Sequence, residues 1–135
     1  MLSKAQVDQF WEDGFVIVED GATDEQLSEL SIQLDEWIEQ SRDHEKNYGK
    51  TPDGKARFDL EAGHSAENPR LRRVANPADI SDSYYEVLIK GVIPDMVADL
   101  IGPDVKFHHC KLNIKLPGMQ TKVDFHQDHP YDPHT

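Results

Sequence analysis

Near the end of the 135-residue chain runs Phe125-His126-Gln127-Asp128-His129-Pro130-Tyr131-Asp132-Pro133-His134. Its centre is His126-x-Asp128. On an extended strand, residues two apart project from the same face. An imidazole nitrogen and a carboxylate oxygen can then reach one metal ion together. Two His and one carboxylate on one side of a site, with other positions open, form the ligand set of non-haem Fe(II) oxygenases. The sequence supplies two fitting ligands, His126 and Asp128. With 7 His in the chain, roughly one His-x-Asp pair is expected by chance. The tripeptide therefore needs support from the elements around it.

The stretch 105–116 gives the clearest support. Lys106, His108, Cys110, Leu112, Ile114 and Leu116 share one face of a strand, apolar from Cys110 onward. Val105, Phe107, His109, Lys111, Asn113 and Lys115 share the other. A half-buried sheet usually turns its polar face to water. In a barrel around a polar ligand the polar face is the inside, and the apolar face packs under helices. On this reading Lys111 and Asn113 face the metal pocket, where the Lys111 ammonium can meet an anion. Pro117-Gly118 turns the chain, and a second strand carries Asp124, His126 and Asp128 on one side.

Helices to cover the apolar face precede it. Ser3 with Gln6 makes a capping box, followed by Val7, Phe10 and Trp11 at helical spacing and a stop at Gly14. Phe15-Val16-Ile17-Val18 reads as a short strand. Thr23 with Gln26 opens a second helix over about 24–42, with Leu27, Leu30, Leu34, Trp37 and Ile38 as its core stripe. Ser81 or Ser83 caps a third, with Tyr84, Leu88 and Ile89 inward, and a fourth runs from near Pro94 to Gly102-Pro103. Between them, 43–80 is rich in turn residues and reads as a variable insert, with short strand-like runs at Arg57–Leu60 and Leu71–Val74. Its Lys50, Lys55, Arg57, Arg70, Arg72 and Arg73 read either as a solvated surface with local ion pairs or as a cover attracting an anionic substrate.

Leu112-Asn113-Ile114-Lys115-Leu116-Pro117-Gly118 and His126-Gln127-Asp128-x-x-Tyr131-x-Pro133, in this order of elements, resemble the phytanoyl-CoA dioxygenase family of Fe(II)/2-oxoglutarate-dependent oxygenases. The resemblance implies an α+β fold. Its core would be a double-stranded β-helix (a cupin-like jelly roll) backed by N-terminal helices, with 1–135 as the N-terminal part of that single domain. It implies Fe(II) on His126 and Asp128, and 2-oxoglutarate as a dicarboxylate cosubstrate, for which Lys111 and Asn113 are the expected binding residues. O2 would be consumed in hydroxylating a small organic substrate, with ascorbate as a stimulant. A carboxylate at Asp128 favours hydroxylation over halogenation. The family's second metal His and its carboxylate-clasping Arg come later than Thr135. The expectation is a fragment truncated after the first metal-ligand strand, inactive alone.

Two other readings stay open. His108, His109, Cys110, His126, His129 and His134 could make a zinc site, although their spacing fits no common zinc pattern. A jelly-roll fragment could also act as a binding or assembly module without chemistry. Composition narrows the field. The net charge of −12 argues against a nucleic-acid partner. The single cysteine, Cys110, permits no internal disulfide. No apolar stretch approaches the ~20 residues of a membrane span, and no signal-peptide pattern is visible. A cytoplasmic protein without a membrane partner is expected.

Overall fold

The computed structural model describes residues 1–118 and 124–127. Four α-helices and four strands follow one another: α1 (Lys4–Asp13), α2 (Asp24–Ser41), β1 (Tyr48–Lys50), β2 (Ala56–Leu60), β3 (Leu71–Ala75), α3 (Asp82–Tyr85), α4 (Val92–Ile101) and β4 (Lys111–Asn113). A 3-10 turn at Pro77–Asp79 precedes α3, and a π-helical turn at Glu86–Lys90 follows it. The fold is α+β. The strands form one antiparallel sheet in the order β1-β2-β3-β4.

Local chemistry sets the helix ends. Both capping boxes form: Ser3 Oγ accepts from Gln6 N, Thr23 Oγ1 accepts from Gln26 N, and each Gln side chain accepts from the cap's own N–H. Gly14 closes α1 at φ 81°, a left-handed conformation that glycine adopts without a Cβ clash. Ser81 caps α3.

The core lies between the helices and one face of the sheet. Register puts Phe58, Val74 and Leu112 side by side on that face. Trp37 of α2 meets Phe58 edge-on at 6.0 Å and Tyr84 of α3 at 5.3 Å. Leu71, Val74 and Ala78 complete the buried set, and Cys110, Leu112 and Ile114 pack against it. The stripe read on α2 is thus a core stripe through Leu30, Leu34, Trp37 and Ile38, while Leu27 stays 51% exposed.

Three expectations change. Phe15–Val18 forms no strand, and Phe15 and Ile17 are exposed. A strand needs a hydrogen-bonding neighbour, and the described sheet runs from β1 to β4 without this segment. The stretch 43–80, read as an insert with strand-like runs at Arg57–Leu60 and Leu71–Val74, keeps those runs as β2 and β3, adds β1, and supplies much of the core rather than a peripheral cover. Its Pro52-Asp53-Gly54 does turn the chain: Gly54 sits at φ 81° and donates to the Thr51 carbonyl oxygen. Last, the strand expected over 105–116 is paired only at Lys111–Asn113. The ladder stops because β3 ends at Ala75, and Asn76, at φ 47°, turns away into the 3-10 turn. Asn76 closes the ladder with both its ends: its N–H donates to the Cys110 carbonyl and its Oδ1 accepts from Cys110 N.

Tyr48 gives a test of the core's polar accounting. Its ring is stacked between His44 at 3.6 Å and Phe58 at 4.6 Å, and its buried hydroxyl has no hydrogen-bond partner among the described residues. Burial pushes its pKa up to about 12. The folded state therefore holds its proton more tightly than the unfolded chain. The associated stability is complete below the ordinary tyrosine pKa near 10 and is lost as pH rises toward 12. Tyr48→Phe removes an orphaned polar group, so denaturant unfolding at pH 7 will show equal or higher stability. The wild type's extra alkaline loss will be absent in the variant. A clear destabilisation at pH 7 would contradict the burial argument.

Candidate metal and cosubstrate site

The alternation read at 110–116 is realised. Cys110, Leu112, Ile114 and Leu116 are half-buried, the first three packed on the core, while Lys111, Asn113 and Lys115 are exposed. Arg73 pairs with Asn113 and Ala75 with Lys111. Both expected cosubstrate residues therefore stand on the polar face of the sheet, away from the helices, beside Arg73. Because the apolar side of β4 is fixed by packing, the polar side is held on a rigid element.

His126 is exposed, and its Nδ1 lies 2.7 Å from the Asp124 carbonyl oxygen. A carbonyl only accepts, so this contact places a proton on Nδ1 and leaves the lone pair of the neutral ring on Nε2. Histidines that bind metals are commonly fixed by such a bond on the other nitrogen. The donor chemistry at His126 fits a metal ligand. Asp128, Tyr131 and Pro133 lie outside the described residues, as do His129 and His134. The strand expected to carry the motif is not formed by 124–127. The only partner of β4 in the described sheet is β3, so the expected pairing of these two strands is not seen there. Among the described residues, no three His, Cys, Asp or Glu side chains converge on a common point.

Of the residues weighed for zinc, the described ones, His108, His109, Cys110 and His126, do not form a three-ligand cluster. The His108 and His109 rings contact each other through their Nδ1 atoms. Cys110 is half-buried, and burial raises its thiol pKa, which disfavours the thiolate that zinc requires.

The arginines of 57–73 are plain in the sequence, but what organises them is not. The β2–β3 register shifts between Asp59 and Leu60, pairing Asp59 with Arg73 but Leu60 with Leu71. Arg72 is the extra residue of this bulge. Bulges re-aim side chains, and here both Arg72 and Arg73 reach Asp59. Their Nη2 atoms lie 3.3 and 2.5 Å from the same Oδ2, with the Asp59 side chain only 6% exposed. Arg57 is buried as well. It donates to the carbonyls of Ala75, Asn76 and Lys50 at 2.9–3.3 Å, with Asp79 Oδ2 at 3.4 Å. The alternation of Arg57 and Asp59 around Phe58 was the available signal that both share the polar face. Lys55, by contrast, pairs with Asp53 at the exposed turn, as the plainer reading expected.

A model of the phytanoyl-CoA dioxygenase (PhyH) family matches residues 10–134. The chain belongs to the phytanoyl-CoA dioxygenase family. Over 78 residues it is 30% identical to a protein of Stutzerimonas stutzeri named probable alpha-ketoglutarate-dependent hypophosphite dioxygenase. That match covers 58% of this chain and 27% of the relative. The chain's matched stretch thus spans about a quarter of the relative's length. No solved structure matches the chain. The family's jelly-roll architecture is compatible with helices backing one antiparallel sheet. No helix among the described residues is long and apolar enough to cross a membrane.

Proposed function

We propose that this phytanoyl-CoA dioxygenase family chain forms part of an Fe(II)- and 2-oxoglutarate-dependent oxygenase that hydroxylates a small substrate. His126 and Asp128 are the metal ligands, and Lys111 and Asn113 face the cosubstrate. The observation that carries the reading is the polarity of β4. Its apolar side is committed to the core, and its polar side presents Lys111 and Asn113 on an open sheet face. Family membership and the relative's name support the same chemistry.

Bound Fe(II) would supply O2 activation, with a substrate C–H, or the P–H of a hypophosphite-like compound, and O2 converted to C–OH or P–OH while 2-oxoglutarate leaves as succinate and CO2. The chain's own part is positioning. Lys111 sets an ammonium against a cosubstrate carboxylate, and Asn113 adds an amide donor beside it. Asp124 holds the His126 ring in the tautomer that presents Nε2. A facial site needs three protein ligands, and these 135 residues offer two that fit. We infer that they bind metal weakly and do not turn over by themselves.

Anaerobic Mn(II) titration with 2-oxoglutarate tests this. Weak binding is expected for the wild type, and none for His126→Ala or Asp128→Ala. Lys111→Met should weaken 2-oxoglutarate by about 10-fold, the loss of one charge-assisted contact, while keeping the metal. Mn(II) binding undiminished in both ligand variants would end the assignment. Turnover assays supply O2 and ascorbate. Their substrate panel should include hypophosphite, the compound in the relative's name.

A further inference from the structure

We propose that the paired guanidiniums of Arg72 and Arg73 hold an anionic group of the substrate, a carboxylate or a phosphorus oxyanion. This site lies one strand away from the residues assigned to the cosubstrate. The inference rests on the reading that the polar sheet face is the ligand-facing one.

Charge is the first argument. One buried carboxylate, Asp59, serves two guanidiniums through a single oxygen. It cannot neutralise both. Arg57 adds a third cation, held mainly by carbonyl oxygens with Asp79 Oδ2 at 3.4 Å, and Lys111 on β4 stands across from Ala75, two residues beyond Arg73. Four cationic side chains (Arg57, Arg72, Arg73 and Lys111) on one face, against the carboxylates of Asp59 and Asp79, are not a by-product of composition, since the chain carries −12 overall. A local excess of one sign on a low-dielectric wall draws ions of the other.

Geometry is the second. Each guanidinium has five N–H donors in a fixed fork. Asp59 engages Nη2 of each, and the Arg72 and Arg73 side chains remain 44% and 39% exposed. Donors are left to clasp a carboxylate or a tetrahedral oxyanion in the bidentate manner that arginine favours. Asp59 acts as a positioning residue that holds the two forks side by side. Arg73 stands directly across from Asn113, and neighbouring strands lie about 4.8 Å apart. That spacing suits a small substrate anchored at one end beside the cosubstrate.

The test uses metal-free chain in low-salt, phosphate-free buffer. Phosphite, acetate and the neutral methyl acetate are titrated while the arginine Nε–H resonances are followed by NMR. Phosphite or acetate should shift the Arg72 and Arg73 signals saturably, and methyl acetate should not. Tighter phosphite binding identifies a phosphorus oxyanion and tighter acetate binding a carboxylate; either supports the site. Arg72→Lys and Arg73→Lys keep the charge that Asp59 needs but lose the fork, and each should weaken the anion about 10-fold. Lys55→Met, at the exposed turn, should leave it unchanged. Circular dichroism checks folding, and if Arg73→Lys unfolds, Arg72→Lys and the wild-type shifts still decide. His126→Ala should leave anion binding intact, which separates this site from the metal assignment. Absent binding, equal binding of methyl acetate, or unchanged affinity in both lysine variants overturns the proposal.

Discussion

His126→Ala will abolish metal-dependent succinate formation, with a loss of about 100-fold or more in kcat/KM. Changing residues that merely orient a ligand typically costs 10–100-fold in metal affinity or activity, and His126 is assigned as a ligand itself. The ring is already arranged for that task, with Nδ1 committed to the Asp124 carbonyl. Its exposed position away from the core means that alanine should not disturb the fold. The measurement is succinate released from 2-oxoglutarate with Fe(II), ascorbate and O2, in the longest natural chain carrying these residues. Unfolding curves run in parallel check that stability is unchanged. Turnover close to wild type, with the fold intact, would remove His126 from the metal site and reopen the zinc and binding-module readings.

The second large effect concerns the platform beneath the site. Trp37→Ala will cost about 3–5 kcal/mol, the range for truncating a buried large aromatic. Trp37 is 5% exposed and joins α2 to both Phe58 of β2 and Tyr84 of α3. The Tyr84 hydroxyl also donates to the Leu30 carbonyl oxygen on α2. Removing the indole therefore opens a void where two helices meet the sheet. Against a typical total of about 5–15 kcal/mol, that loss leaves a large unfolded fraction. Urea denaturation followed by circular dichroism reads it directly. Trp11→Ala is the control: Trp11 is 68% exposed, and a surface change of this kind should stay within about 0.5 kcal/mol. Equal effects from the two substitutions would mean that α2 is not fastened to the sheet as described.

Sequence alone determined what depends on near neighbours. The pairs Ser3/Gln6 and Thr23/Gln26 close their capping boxes because both partners lie within one helical turn. Gly14 ends α1 because the left-handed cap is a property of a single residue. The two faces of 110–116 were legible for the same reason, since alternation along a strand is fixed by the backbone itself. The family, too, was written in contiguous motifs.

Tertiary structure decided what depends on partners distant in sequence. Phe15-Val16-Ile17-Val18 has strong strand character but no described strand beside it, whereas the strand-like runs of the turn-rich 43–80 become β2 and β3, and Tyr48–Lys50 becomes β1, because β1 pairs with β2, β2 with β3 and β3 with β4. Strand formation is settled by the ladder rather than by the segment. The arginines show the same rule at the level of charge. In sequence, Arg57, Arg72 and Arg73 read either as members of one solvated cluster or as a cover attracting an anionic substrate. A bulge between β2 and β3 turned Arg72 and Arg73 onto a buried Asp59, and the end of β3 enclosed Arg57 among carbonyl oxygens. Neither outcome is encoded among the sequence neighbours of the residue concerned; both follow from which strand lies next to which, and in what register.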